Sequence, residues 1–300
     1  MKEREKPQAD DHTGQQTVFL HIGMSKAGSS AIQQALIANA PDLNESGICY
    51  PETGRRWGNA HHKILHDLRE GGAENLLAKA LKEAAHRKAI VFSCEGFWVV
   101  RDEIVEVLCR RLAEYDVRVI LYLRKPSDYV PSSYRQSIKH DGETCTPEVY
   151  WRRGPPWPHL NYSNQLKRWG RCFSLRVRAY EVVKHGIEED FMRTIGAPVQ
   201  HMDTQRRLTN PTPSDGAIRL MLLANRYLPE VVSNRVRRWV QRSSWCLNFM
   251  PAIDDSVLRK QARTVVSRWD VDVMREYLPQ DDLKLLLADG NASSMAALQE

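Results

Sequence analysis

The chain alternates short, unbroken apolar runs with longer stretches in which apolar residues recur every three or four positions. Four runs stand out: 17–23 (TVFLHIG), 88–93 (KAIVFS), 118–124 (RVILYLR) and 174–180. Each is too short for a helix and is closed by a glycine, a charge or a turn, which predicts buried strands. Residues 47–51 form a shorter extended piece. Helical periodicity predicts a helix from Ser29 through Ile32, Leu36 and Ile37, ended by Pro41, and others over 61–69 and 73–87. Ile104, Val105, Leu108 and Leu112 mark the next one. A further helix starts at Pro126, a residue tolerated in the first turn, and runs to about His140. Another covers 162–170, and the pattern beyond Asn210 is mainly helical. Segments 50–60 and 153–159 (RGPPWPH) read as loops.

Strands alternating with helices imply a parallel sheet covered on both faces. The predicted fold class is therefore α/β: a P-loop-type parallel β-sheet flanked by helices, with a mainly helical C-terminal portion from about residue 210. Residues 1–16 are polar and mixed in charge and read as a disordered tail, leaving 17–300 as one domain. Apolar residues at 42% and charged residues at 27% exclude a disordered chain. No apolar run is long enough for a signal peptide or a membrane span. Six cysteines, at 49, 94, 109, 145, 172 and 246, show neither a CxxC pair nor zinc-ligand spacing. They read as reduced thiols of a cytoplasmic protein with no metal requirement. The net charge of +6 suits an anionic ligand, and with no nucleic-acid-binding motif it gives no reason to expect a nucleic-acid partner.

The richest chemistry lies in 21–30, His-Ile-Gly-Met-Ser-Lys-Ala-Gly-Ser-Ser, at a strand-to-helix junction. A helix N-terminus there presents unpaired N–H groups and the positive end of its dipole, which suits an anion. Gly23 and Gly28 permit tight turning, Lys26 supplies a point charge, Ala27 keeps the loop small, and Ser29 and Ser30 supply hydroxyls. The loop departs from GxxxxGK[ST], because Lys26 precedes Gly28. A second segment begins at Arg124, at the C-terminal end of the third run, and reads RxPxDxxxSxY through Ser132 and Tyr134. Carboxyl ends of parallel strands are where such sheets bind ligands.

The order strand, KxGSS loop, helix, strand, then RxPxDxxxSxY resembles the sulfotransferases that use 3′-phosphoadenosine 5′-phosphosulfate (PAPS), particularly soluble bacterial members. The resemblance covers residues 18–180 and fades afterwards. It implies PAPS as donor and 3′-phosphoadenosine 5′-phosphate (PAP) as product. It assigns Gly23, Lys26, Ala27, Gly28, Ser29 and Ser30 to the 5′-phosphosulfate, and Arg124 and Ser132 to the 3′-phosphate. The family often carries threonines where Ser29 and Ser30 stand, and serine keeps the hydroxyl. Lys26 is expected to stabilise the leaving oxygen.

The acceptor must lose a proton. Glu95 directly follows the run 88–93, at the ligand edge, and is the first candidate base. The family commonly has histidine after the corresponding strand, and glutamate in some carbohydrate-modifying members. His61 and His62 form the second candidate, since imidazole titrates near neutrality. Tyr180, Glu181 and Asn210 are placed near the nucleotide by the same resemblance. Aromatic and arginine residues interleave over 151–157, a candidate acceptor lid, and over 235–245, whose helical spacing also suits a solvated face. The expected partner is a carbohydrate or small-molecule acceptor. Two other readings stay open: a kinase-like P-loop transferase, and a non-catalytic binder of anionic glycans.

Overall fold

The apolar runs assemble into one sheet of five parallel strands, in the order β2-β3-β1-β4-β5. The strands are β1 (Thr17–His21), β2 (Ile48–Cys49), β3 (Ala89–Ser93), β4 (Asp116–Leu123) and β5 (Ser174–Ala179). This computed structural model describes residues 15–56, 59–154, 157–199, 213–243 and 251–290. Central β1 lies between β3 and β4, with Thr17 opposite both Ala89 and Asp116. Val18, Ile90, Val91, Val119 and Leu123 are fully buried. A parallel sheet covered on both faces has no solvent side, which is why these strands read as unbroken apolar runs. Edge strand β5 instead alternates, carrying Arg176 and Arg178 between Leu175, Val177 and Ala179.

The helices of the first half are α1 (Ser29–Ala38), α2 (Ala40–Glu45), α3 (His62–Arg69), α4 (Leu76–Glu83), α5 (Asp102–Arg111) and α6 (Pro126–Gln136). They are followed by α7 (Pro147–Arg153), α8 (Trp157–Leu160), α9 (Tyr162–Gly170), α10 (Tyr180–Val183) and α11 (Ile187–Thr194). Pro41 does not end the helical region as its position suggested. It sits in the first turn of α2, where its missing N–H costs nothing. The helix from Pro126 becomes one π-helical turn over Ser137–Asp141, ended by Gly142 at φ 72°. The expected loop over 153–159 is helical at both described ends: Arg153 closes α7, and Trp157 and His159 lie in α8, while residues 155 and 156 lie outside the described residues. Of the expected tail, residues 1–14 lie outside the described residues, whereas the Gln16 amide donates to the Ala84 and Arg87 carbonyls at 2.8 and 2.6 Å.

The C-terminal portion is helical as expected: α12 (Asp215–Tyr227), α13 (Glu230–Ser243), α14 (Ser256–Arg263), α15 (Val271–Tyr277) and α16 (Gln280–Leu287). Two buried carboxylates bond it to the first part of the chain, one at α6 and one at β5. Asp289 accepts from the Ser127 N–H at 2.8 Å and from its hydroxyl. Asp282 accepts from Ala179 N–H at 2.7 Å and Arg178 Nε at 2.9 Å. Trp269 adds a stacked contact on Tyr162, with ring centroids 4.6 Å apart, and donates to the Leu160 carbonyl at 2.8 Å.

Replacing Asp282 by alanine leaves the buried Ala179 N–H without its acceptor and takes one of two carboxylates from Arg178, which keeps Asp190 at 3.2 Å. It should cost about 1–3 kcal/mol, read as a lower urea midpoint with an unchanged slope. A wild-type midpoint would show that α16 contributes nothing through this bond.

Candidate functional site

β1 leads towards one edge of the sheet, through β2, while its neighbour β4 leads to the other edge through β5. Adjacent strands whose connections diverge leave a crevice at their carboxyl ends. The loop after β1 and Arg124 after β4 both lie there. Arg124 Nη1 donates to the Lys26 carbonyl at 2.7 Å and joins the two loops directly.

Within the first loop, Gly23, Lys26 and Gly28 all have positive φ, at 40°, 64° and 83°. Gly28 is the position that needs glycine most. A Cβ there would lie 2.5 Å from Ile187 Cδ1 and 3.2 Å from the Tyr180 ring, on top of the backbone strain. Lys26 adopts its left-handed conformation without that freedom, at a cost of about 1–3 kcal/mol. Gly23 and Ala27 face inward: Ala27 is buried and its N–H donates to the Met24 carbonyl at 3.2 Å. Buried Ser29 turns its hydroxyl to the same carbonyl at 3.4 Å. Lys26 and Ser30 are the outward-facing members. Helix α1 has glycine as its N-cap and no acidic residue in its first turn. Among the described residues, the backbone N–H groups of Ser29 and Ser30 have no acceptor.

Positive charge accumulates around this loop. Partial desolvation, then the charges of Arg124 and Lys139, hold the Lys26 ammonium below the ordinary lysine range. Lys139, in the π turn, is itself lowered by burial. Its neighbour His140 is lowered by burial and then by Lys139, with smaller effects of Lys26 and Arg237 and an opposing one from Asp141. Among the described residues, no carboxylate forms an ion pair with Lys26, Arg124 or Lys139. Arg124 Nε is buried without a partner, and its guanidinium lies over the Tyr180 ring at 5.6 Å. Glu181 is occupied elsewhere, accepting from the Lys125 N–H at 2.9 Å, and burial raises its carboxyl above the usual range. Ser132 is half-buried on α6.

Glu95 opens a 3-10 turn after β3. Gln33, one turn into α1 from Ser29, donates to Glu95 Oε2 and to the Ser93 hydroxyl, each at 3.2 Å. This amide ties Glu95 to the helix that begins at the loop. Glu95 Oε1 lies 3.7 Å from His62 Nε2, an ion-pair distance longer than a good hydrogen bond, with the two side chains 31% and 33% exposed. The other imidazole nitrogen, Nδ1, is 3.2 Å from Cys94 Sγ. Burial would raise the Glu95 carboxyl, but the contacts of His62, its own backbone and Gln33 outweigh it and hold it at about 2. The Cys94 sulfur first, then Glu95, push His62 up to about 10. The pair is therefore carboxylate and imidazolium at neutral pH.

His61, half of the second candidate, is separated from this chemistry. It is fully buried, and burial pushes its imidazole down to about 4. Nε2 donates to the Pro51 carbonyl at 3.0 Å, and Nδ1 accepts from the Ser93 N–H at 3.2 Å. His61 braces β3, and both its ring nitrogens are bonded to the backbone. His21, which carried no signal in the sequence beyond closing its strand, is equally buried and held to about 4, with Nδ1 2.8 Å from the Ser93 hydroxyl. Of the other candidates, Asn210 and Trp245 lie outside the described residues. Trp157 stands beside Trp151 at 5.6 Å with Arg268 over its ring at 4.8 Å, and is 40% exposed.

No protein-family model matches the chain, and no curated protein matches it. A solved structure of a sulfotransferase from Alicyclobacillus acidocaldarius is similar at 17% identity and a TM-score of 0.42, over 69% of this chain and 91% of that one.

An imidazole raised by its partners stabilises the fold fully below 6.5, and that contribution fades as pH rises through about 10. In Glu95→Gln the His62 titration midpoint, followed by NMR of the imidazole, should fall towards 6.5. An unmoved midpoint would mean that Cys94 alone sets it.

Proposed function

We propose that the chain transfers a sulfuryl group from PAPS to a hydroxyl or amine of a carbohydrate or small-molecule acceptor, releasing PAP. The observation that carries this reading is the 2.7 Å bond from Arg124 to the Lys26 carbonyl. It places two segments 98 residues apart in one crevice. That crevice offers an uncapped helix start, a lysine and an arginine whose charge no described carboxylate neutralises by an ion pair. Such a cradle suits a ligand with anionic groups at two places.

The donor supplies an activated S–O bond to a phosphate. In-line displacement breaks that bond and forms one from sulfur to the acceptor oxygen or nitrogen. Lys26 and the N–H groups of Ser29 and Ser30 stabilise charge on the leaving oxygen, as electrostatic catalysis requires. Arg124 and Ser132 hold the 3′-phosphate and so fix the register. Glu95, kept ionised, takes the acceptor proton. His62 holds Glu95 in place and, as imidazolium, does not itself act as the base.

Calorimetric titration with PAP, 5′-AMP, and ATP with Mg²⁺ tests the donor. PAP should bind tightest, and Arg124→Ala should remove the preference for the 3′-phosphate. Equal binding of AMP would sink the reading, and preference for ATP with Mg²⁺ would favour the kinase-like one. With an acceptor in hand, Lys26→Ala should abolish turnover in a folded protein. Glu95→Gln should keep PAP binding and cut turnover by about 10²–10⁴-fold. Unchanged turnover in Glu95→Gln would remove it as the base.

A further inference from the structure

Among the described residues eight large hydrophobic side chains are exposed, and six of them lie between Leu223 and Trp239. Tyr227, Val231 and Trp239 are 72%, 65% and 52% exposed. The concentration falls where α12 turns into α13, and every residue from 226 to 232 is exposed there, so the corner protrudes. Along α13 the exposed residues Val231, Val232, Arg235, Arg238 and Trp239 recur at helical spacing and form one stripe. The opposite edge faces the protein: Ser233 and Val240 are buried, and Arg237 donates to Asn225 Oδ1 at 2.9 Å. The apolar stripe is flanked by exposed Arg226, Arg235 and Arg238, and Glu230 is the single acidic residue between 223 and 239.

We infer that this corner docks the protein on the surface of a lipid bilayer that carries anionic headgroups. Tyr227, Val231 and Trp239 enter the interfacial layer, while Arg226, Arg235 and Arg238 meet headgroup phosphates. Amphipathic aromatic rings beside arginines match the chemistry of that layer, where one end of each side chain is apolar and the other wet. A protruding corner suits a broad deformable surface and offers no groove for a peptide. A second copy of the chain is disfavoured by charge. Two such faces related by a twofold axis would set three exposed arginines against three. No described helix is long and apolar enough to cross a membrane, so the contact is peripheral.

The test is co-sedimentation of the full chain with phosphatidylcholine vesicles, with and without phosphatidylglycerol. The wild-type protein should bind the mixed vesicles, in a salt-sensitive manner, far better than the neutral ones. Arg235→Gln with Arg238→Gln should weaken that binding roughly thirtyfold. Tyr227→Ser with Trp239→Ser should abolish it. All four positions are exposed, so circular dichroism and the thermal midpoint should be unchanged, and should one variant misfold the other still decides. Absence of wild-type binding, equal binding to neutral vesicles, or full binding by the folded variants would overturn the inference. So would a wild-type dimer by light scattering that Trp239→Ser dissolves, which would give the face to a second copy.

Discussion

The bond from Arg124 to the Lys26 carbonyl is the contact on which the crevice depends. It satisfies a carbonyl that a left-handed residue turns away from regular structure, and so helps to hold Lys26 at φ 64°. It also uses only one of the guanidinium's donors and leaves Nε buried and unpaired. The backbone behind Arg124 is gripped by side chains from three directions. Tyr162 donates to the Arg124 carbonyl at 2.5 Å, Glu181 accepts from the Lys125 N–H, and Asp289 from the Ser127 N–H. Tyr162 is in turn stacked on Trp269. The C-terminal helices thus act on the crevice by helping to fix the peptide from which Arg124 projects.

Charge divides the crevice into two unlike halves. On one side burial, then the charges of Arg124 and Lys139, depress Lys26, and burial depresses Lys139, a cost the folded chain bears unless an anion relieves it. On the other side Glu95 and His62 neutralise each other and remain within reach of solvent. Gln33 spans the gap, reaching Glu95 from the helix that starts at the loop. In the proposed reaction the cationic half would bind the anionic donor and Glu95 would take the proton.

Much of this was legible because the chemistry sits in contiguous segments. Buried parallel strands must be apolar throughout, so β1, β3 and β4 announce themselves, and the loop between β1 and α1 declares its two glycines and its lysine. The short edge strand β2 was visible only as an extended piece. His61 and His62 were indistinguishable in sequence because neighbours at a helix start face different ways, one into the core against Ser93 and one towards Glu95. The partners that brace the site were invisible for another reason. Ser127 and Asp289 are 162 residues apart, and His21 and Ser93 are 72 apart. No local pattern encodes such pairs. Within 153–159, Pro158 misled because a proline in the first turn of a helix looks like loop punctuation.

The α12–α13 hairpin shows how one element serves both the crevice and the surface. A π turn opens the regular ladder and frees carbonyls that need new donors. Asn225 supplies them to the Ile138 and Glu143 carbonyls at 2.9 and 3.0 Å, and Gln241 approaches the Lys139 carbonyl at 3.4 Å. The inner edge of the hairpin thereby fixes the turn that carries Lys139 beside Lys26. Gly142 accommodates Arg237 at the same junction, since a Cβ there would lie 2.6 Å from its guanidinium. The outer edge carries Tyr227, Val231 and Trp239 and takes no part in that packing. Its apolar exposure is therefore not a by-product of holding the π turn, because the residues that do that work are Asn225, Arg237 and Gln241. A hairpin needed only as a brace would be expected to present polar residues outward.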